Sequence, residues 1–404
     1  MLCLIAAVQG AVIVAQIGAA MLVAPEVLGK IRVVESVYSI ALLVACLGLP
    51  FVVLHDSAAS SNRAVGRDVF VAASGLGTLV AALVFGLALV YVFISSGTEA
   101  ADVWAWIGMA GVLIPAVILR NSVALLQGWR QAGANAFWLI LLSFSLVGLV
   151  CLLAWQNGLV GWVVGRGALE AVLAICLVGL IFRTAGWRDI RWREFSKTVL
   201  DRNIARRGGG AGLGLLVRVV ADSLPLLMFR FLSGDLVQTG LWGLVTLVLF
   251  FPSLLMGAFA QYMTPLMVAK KSNLRQFELY KSRLLRTLVV ISMFGCLMLA
   301  GGALMVRSDL LAEYRGACSA FLVVALALPF RAKALANGVV AMVWQRFRYA
   351  LLVNVFEVFV IFVAMMCFYR FGAVGVAGAF LISTICVALV AFCFPSDAKC
   401  WMRK

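Results

Sequence analysis

The sequence predicts an all-α polytopic membrane protein of about twelve transmembrane helices, in two six-helix lobes related by a pseudo-two-fold axis. Three observations predict it. Of 404 residues, 64% are hydrophobic and 12% charged, with a mean hydropathy of +1.09, and the charged fraction is about half that of a soluble domain. Lys and Arg number 33 against 17 Asp and Glu, a net charge of +16, and the excess gathers on alternate connectors. Finally, the two halves of the chain repeat one another. The first observation excludes a soluble fold. The charge needs no nucleic-acid partner, because basic residues of helical membrane proteins concentrate in cytoplasmic loops and meet anionic lipid there.

In chain order, spans are expected near 1–23, 35–55, 69–95, 103–126, 136–155 and 159–182, then near 209–232, 239–263, 284–306, 316–336, 349–369 and 372–394. Met1 leads straight into an apolar stretch without a basic n-region or an A-x-A-like cleavage site, which reads as a first span rather than a cleaved signal. The spans define an N-lobe at 1–182, a basic linker at 183–208, a C-lobe at 209–396 and a tail at 397–404. The linker carries Trp187, Trp192 and eight basic residues and reads as an amphipathic segment on the inner leaflet. With the N-terminus cytoplasmic, 21 Lys and Arg fall on the inner side and five, Lys30, Arg32, Arg307, Arg315 and Arg370, on the outer. That bias puts both termini of this multi-pass protein in the cytoplasm. No connector is long enough for an extramembrane catalytic domain.

The internal repeat has an offset of about 215: Gln127-Gly128-Trp129-Arg130, an apolar helix and Asn157-Gly158-Leu159-Val160-Gly161 match Val343-Trp344-Gln345-Arg346, an apolar helix and Phe371-Gly372-Ala373-Val374-Gly375. A weaker pair, Pro25 to Gly29 and Asp235 to Gly240, is offset by about 211. Six helices per half give both halves the same orientation, an arrangement of transporters, whose substrate path follows the interface between such repeats.

Several segments resemble those of Wzx-type lipid-linked oligosaccharide flippases and polysaccharide exporters. Leu22 to Gly29 is similar to the "LLGPEEFG" junction after the first helix of that family, and Phe229 to Gly234 to its "SRFLG". Arg346-Phe347-Arg348-Tyr349 with Asn354 resembles its "KxRYxLLxN", and Phe371 to Ala379 its "FGxxGxAxA". The family belongs to the multidrug, oligosaccharidyl-lipid and polysaccharide exporter (MOP) superfamily, and the resemblance implies a MATE-like fold. It also implies translocation of undecaprenyl-diphosphate-linked repeat units by alternating access, for O-antigen, capsule or exopolysaccharide assembly. The implied partners are that substrate, membrane lipids and the polymerase and chain-length proteins, with a monomer as the working unit. A cation-coupled drug or metabolite exporter of the same superfamily is the alternative, and a lipid II flippase, a relative with usually fourteen spans, is disfavoured by the length of this chain. A membrane-embedded polymerase or ligase, an enzyme, would need a large outer loop, and every outer connector is about ten residues or fewer.

A diphosphate head group needs cations and hydrogen-bonding groups inside the hydrocarbon layer. Arg166 and Arg218 lie deep in spans, each with a carboxylate four residues later, Glu170 and Asp222, on the same helical face. Two readings stay open for these pairs, substrate binding or mutual neutralisation. Gln9, Gln16 and Asn354 are candidates to line the path, and Gln9, Gln16, Asn121 and Gln261 equally suit interhelical hydrogen bonds. Glu357 is read as a lone acid without a basic neighbour, and with Asp222 and Glu170 it is a candidate for H+ or Na+ coupling. Arg331 and Lys333 are placed near an inner helix end, and the solitary His55 beside Asp56 at another. Ten cysteines without a CxxC pair suggest neither zinc nor disulfides. No cofactor is expected, and no Walker loop supports direct ATP use. Pro115, Pro225, Pro252 and Pro329 are expected to kink their helices.

Overall fold

The structure, a computed structural model, describes residues 2–59, 63–94, 100–129, 136–186, 202–270, 273–344 and 347–393. The described residues contain no strand. The helices are α1 (Leu2–Leu22), α2 (Pro25–Cys46), α3 (Leu49–Ala59), α4 (Arg63–Ile94), α5 (Ala100–Gly128), α6 (Ala136–Ala185), α7 (Arg202–Ser233), α8 (Leu236–Ala269), α9 (Leu274–Arg307), α10 (Cys318–Val343), α11 (Phe347–Phe368) and α12 (Gly372–Cys393). Short 3-10 turns at Asp309–Ala317 and Tyr369–Phe371 precede α10 and α12.

Among the described residues, eight stretches are long and apolar enough to cross a bilayer, and α2 with α3, bent by 49° at Leu47-Gly48, makes a ninth. Two of the eight, Leu141–Ala185 and Leu351–Val390, are 45 and 40 residues long. At about 1.5 Å per residue each is roughly twice the ~30 Å hydrocarbon thickness, so each holds two crossings. The chain turns between them at glycine. Gly158 takes φ 55°, ψ −128°, and Gly372 takes φ 64°, ψ −150°, regions that a side chain with a Cβ rarely enters. These are equivalent positions of the sequence repeat, so a matched backbone turn underlies the matched motif. With α1, whose 21 residues carry no charge, these make twelve candidate crossings among the described residues by length and composition, the number expected.

The chain divides into two compact units, one of Met1–Val23 with Val34–Leu216 and one of Ala24–Val33 with Val217–Lys404. The first holds α1 against α6, and α5 against α3, α4 and α6. In the second, α10 packs on α8, α9 and α12, and α11 packs on α12. Helices α2 and α7 each contribute to both units. Leu83, Ile175, Leu297 and Leu352 are among the apolar side chains left exposed, an outward-facing pattern that suits lipid as solvent. The inward face of α9 is set by spacing: Phe277, Leu284, Leu288, Ser292, Gly295, Leu299, Ala303 and Val306 recur at three, four or seven residues and are buried.

Several boundaries differ from expectation. The second span begins at Pro25 rather than 35, because Pro suits a helix N-terminus, so Lys30 and Arg32 lie inside α2 instead of in a loop. Arg32 donates to Thr246 Oγ1 at 3.1 Å. Helix α9 begins ten residues before 284, capped by Asn273, whose side chain accepts from the Gln276 amide. Pro115, Pro225 and Pro329 sit within continuous helices. Arg67 is 1% exposed and donates to the Ala185 and Gly186 carbonyls at 3.3 and 3.1 Å, satisfying the end of α6. The segment 187–201, with Trp187 and Trp192, lies outside the described residues.

Candidate functional site

Among the described residues, each unit holds a cluster in which an arginine meets carboxylates from more than one helix. In the first unit, Arg166 of α6 meets Glu170 one turn on, Nη1 to Oε1 at 2.7 Å, as the i, i+4 spacing requires. Glu35 of α2 joins them, its Oε1 3.4 Å from Arg166 Nε and accepting from Trp162 Nε1 at 2.9 Å. The Arg166 guanidinium also lies over the Tyr38 ring, 5.5 Å from its centroid. The side chains of Arg166, Glu35 and Glu170 are 4%, 7% and 1% exposed. Glu170 Oε2 and the Tyr38 hydroxyl make no hydrogen bond among the described residues. Two carboxylates facing one guanidinium carry one negative charge more than the cation balances.

In the second unit, Arg218 of α7 grips Asp222 with two contacts, Nη2 to Oδ1 at 3.0 Å and Nε to Oδ2 at 3.3 Å. Its remaining Nη1 donates to Glu357 Oε2 of α11 at 2.8 Å. Arg331 of α10 donates to the same Asp222 Oδ1 at 3.0 Å and stacks over Phe380 of α12, 5.5 Å from the ring centroid. Here two cations face two anions. The side chains of Arg218, Asp222 and Arg331 are 33%, 40% and 18% exposed and that of Glu357 is 7% exposed, so this cluster opens to its surroundings where the first is sealed.

Both expected i, i+4 pairs are present. Glu357 is not the lone acid expected, because a cation from another helix reaches it. Arg331 is not near a helix end: α10 runs to Val343, seven residues past the expected limit, which moves Arg331 inward. Glu35, Tyr38, Trp162 and Arg331 are members that the spacing did not reveal. Asn354 is half-buried one turn before Glu357, and Gln16 is buried on α1. Asn121 is buried too and donates to Ser74 Oγ at 3.3 Å, an interhelical role. The side chains of Gln9 and Gln261 lie outside the described residues. His55 and Asp56 pair at 3.1 Å. Among the described residues no group of three or more His, Cys, Asp or Glu could hold a metal ion. A depression of about 520 Å³ lined by Phe229, Asp235, Gln238, Tyr369 and Arg370 includes none of the four charged residues of its unit's cluster.

Fold and clusters together define a class: a multi-pass, all-α membrane protein with charged groups held inside its apolar helices. No family model and no curated protein matches the sequence. Among solved structures, the chain is similar to an inward-facing multidrug resistance MATE family transporter of the MOP superfamily, with a TM-score of 0.79 at 14% identity over 99% of this chain and 96% of that one. It is also similar to the lipid II flippase MurJ in an inward closed conformation, with a TM-score of 0.72 at 11% identity over 98% and 88%. A third is a MOP superfamily transporter from Pyrococcus furiosus described as having a binding pocket of reverse polarity, with a TM-score of 0.65 at 16% identity over 100% and 95%. The chain therefore has the fold of these transporters and flippases.

Proposed function

We propose that the protein is a flippase that moves an undecaprenyl-diphosphate-linked oligosaccharide repeat unit across a bacterial inner membrane by alternating access, for O-antigen, capsule or exopolysaccharide assembly. The observation that carries the reading is the open cluster of the second unit, where Arg218 and Arg331 hold two permanent cations within apolar helices. A guanidinium stays charged throughout a cycle and offers a planar fork that fits phosphate oxygens. Burying charge in a span costs about 2.5–3.5 kcal/mol per residue on insertion scales, a cost that suits a path for an anion. The fold lends support, since one structural neighbour is a lipid II flippase.

Coupling to H+ or Na+ is assigned to the sealed cluster of the first unit, where Glu35 and Glu170 exceed Arg166 by one charge and a cation would restore balance. Both termini are placed in the cytoplasm, with a monomer as the working unit beside the polymerase and chain-length proteins. A second reading, cation-coupled export of drugs or metabolites, is favoured by the carboxylates: with Asp222 and Glu357 in place the open cluster is neutral overall. Complementation of a deletion strain separates the two. On the flippase reading, deletion abolishes surface polysaccharide, wild type restores it, Arg218→Ala does not, and Arg218→Lys restores part. Full-length polysaccharide in the deletion strain would support the exporter reading.

A further inference from the structure

Every nitrogen of the Arg218 guanidinium is already engaged, two by Asp222 and one by Glu357, and Arg331 holds the same Asp222 oxygen. The carboxylates therefore occupy the edges through which Arg218 would bind a phosphate, Asp222 with the fork geometry a phosphate would use, and Asp222 also engages one nitrogen of Arg331. Two cations and two anions also leave no surplus attraction for a multiply charged anion. With the carboxylates in place, the site repels as strongly as it attracts.

We infer that Asp222 and Glu357 are built-in competitors of the anionic ligand, holding Arg218 and Arg331 in its absence and being displaced when a diphosphate binds. The exposure of Asp222 makes its displacement feasible, since at 40% it has room to turn its carboxylate outward, unlike Glu170 at 1%; Glu357, at 7%, is the more enclosed of the two competitors. Arg331 is kept in place on release, because the Phe380 ring beneath it is an anchor independent of Asp222. The two guanidinium groups, from α7 and α10, then form a pincer for the two phosphoryl groups. Competition also favours selectivity: a single weak anion does not repay the loss of two ion pairs, whereas a diphosphate engages both cations at once.

This inference rests on the flippase reading only in its choice of ligand. The test is calorimetric titration of the purified full chain in nanodiscs with inorganic pyrophosphate and with farnesyl diphosphate. Asp222→Asn, which keeps shape and removes charge, is expected to bind pyrophosphate about tenfold tighter than wild type, the size of one charged contact removed. Glu357→Gln is expected to shift affinity in the same direction and carries the test if Asp222→Asn does not fold. Arg331→Gln, added to the folding carboxylate variant, should reverse the gain. Equal or weaker binding by both carboxylate variants, with binding still lost on removing an arginine, overturns the competition and leaves the cationic path standing. Absence of binding to either probe in every variant, the Asp222→Asn/Glu357→Gln double variant included, overturns both the competition and the diphosphate reading.

Discussion

A guanidinium sealed from water depends on its partners far more than one at an opening. Arg166 is enclosed by Glu35, Glu170, Tyr38 and Trp162, so Arg166→Ala would leave two buried carboxylates without a cation, a change costing about 3–5 kcal/mol. Arg331→Ala removes a partly exposed cation, and Asp222 keeps Arg218, so a loss of about 1 kcal/mol or less is expected. Thermal unfolding in detergent compares the two, and equal losses would show that both clusters are equally sealed. Trp162→Phe is expected to cost about 1–3 kcal/mol by removing a donor from buried Glu35. At this scale the sequence was partly legible. Arg166 with Glu170 and Arg218 with Asp222 are readable because one helix fixes a four-residue spacing. The other members are not, because their partners lie far along the chain: Glu35 is 127 residues from Trp162, Asp222 109 from Arg331 and Arg218 139 from Glu357. No local period encodes such meetings, and a span limit drawn seven residues short hid Arg331.

Element by element, glycine positions carry the repeat into three dimensions. Gly158 and Gly372 turn the chain between paired crossings with the same unusual backbone, so Gly158→Ala and Gly372→Ala are each expected to destabilise by about 1–3 kcal/mol. Gly179, an ordinary helical glycine of α6 with open space around it, is the control: Gly179→Ala should be neutral or stabilising by about 0.5–1 kcal/mol. Similar losses in all three would remove the special role of the turns. The weaker sequence pair also has a physical meaning that an offset alone does not convey. Within the second unit, Gly29 lies against the Leu236 carbonyl and Gly240 against the Pro25 carbonyl, contacts that exchange under the offset of 211. Reciprocal contacts of this kind are what a local two-fold relation generates. Gly240→Val would force the start of α8 off the start of α2. Helix existence and the glycine turns were legible from hydropathy and motif, whereas the early start of α2 was hidden by Lys30 and Arg32, which look like loop residues until a helix is seen to hold them.

For the molecule as a whole, composition alone settled the class, because no soluble core can absorb 64% hydrophobic residues in a chain of this length. The fold of MOP superfamily transporters then frames the two clusters differently, one sealed with a surplus negative charge and one open with balanced charge. Ion coupling is proposed for the first and anion binding for the second, with Arg218 and Arg331 carrying the diphosphate across. Translocation of a fluorescent polyprenyl-diphosphate-linked oligosaccharide in proteoliposomes, read by the fraction protected from an external quencher, tests that claim most directly. Wild type is expected to change the protected fraction, Arg218→Ala and Arg331→Ala to leave it at the protein-free level, and Arg218→Lys to retain partial activity. Translocation by correctly folded Arg218→Ala and Arg331→Ala at the wild-type rate would contradict that claim.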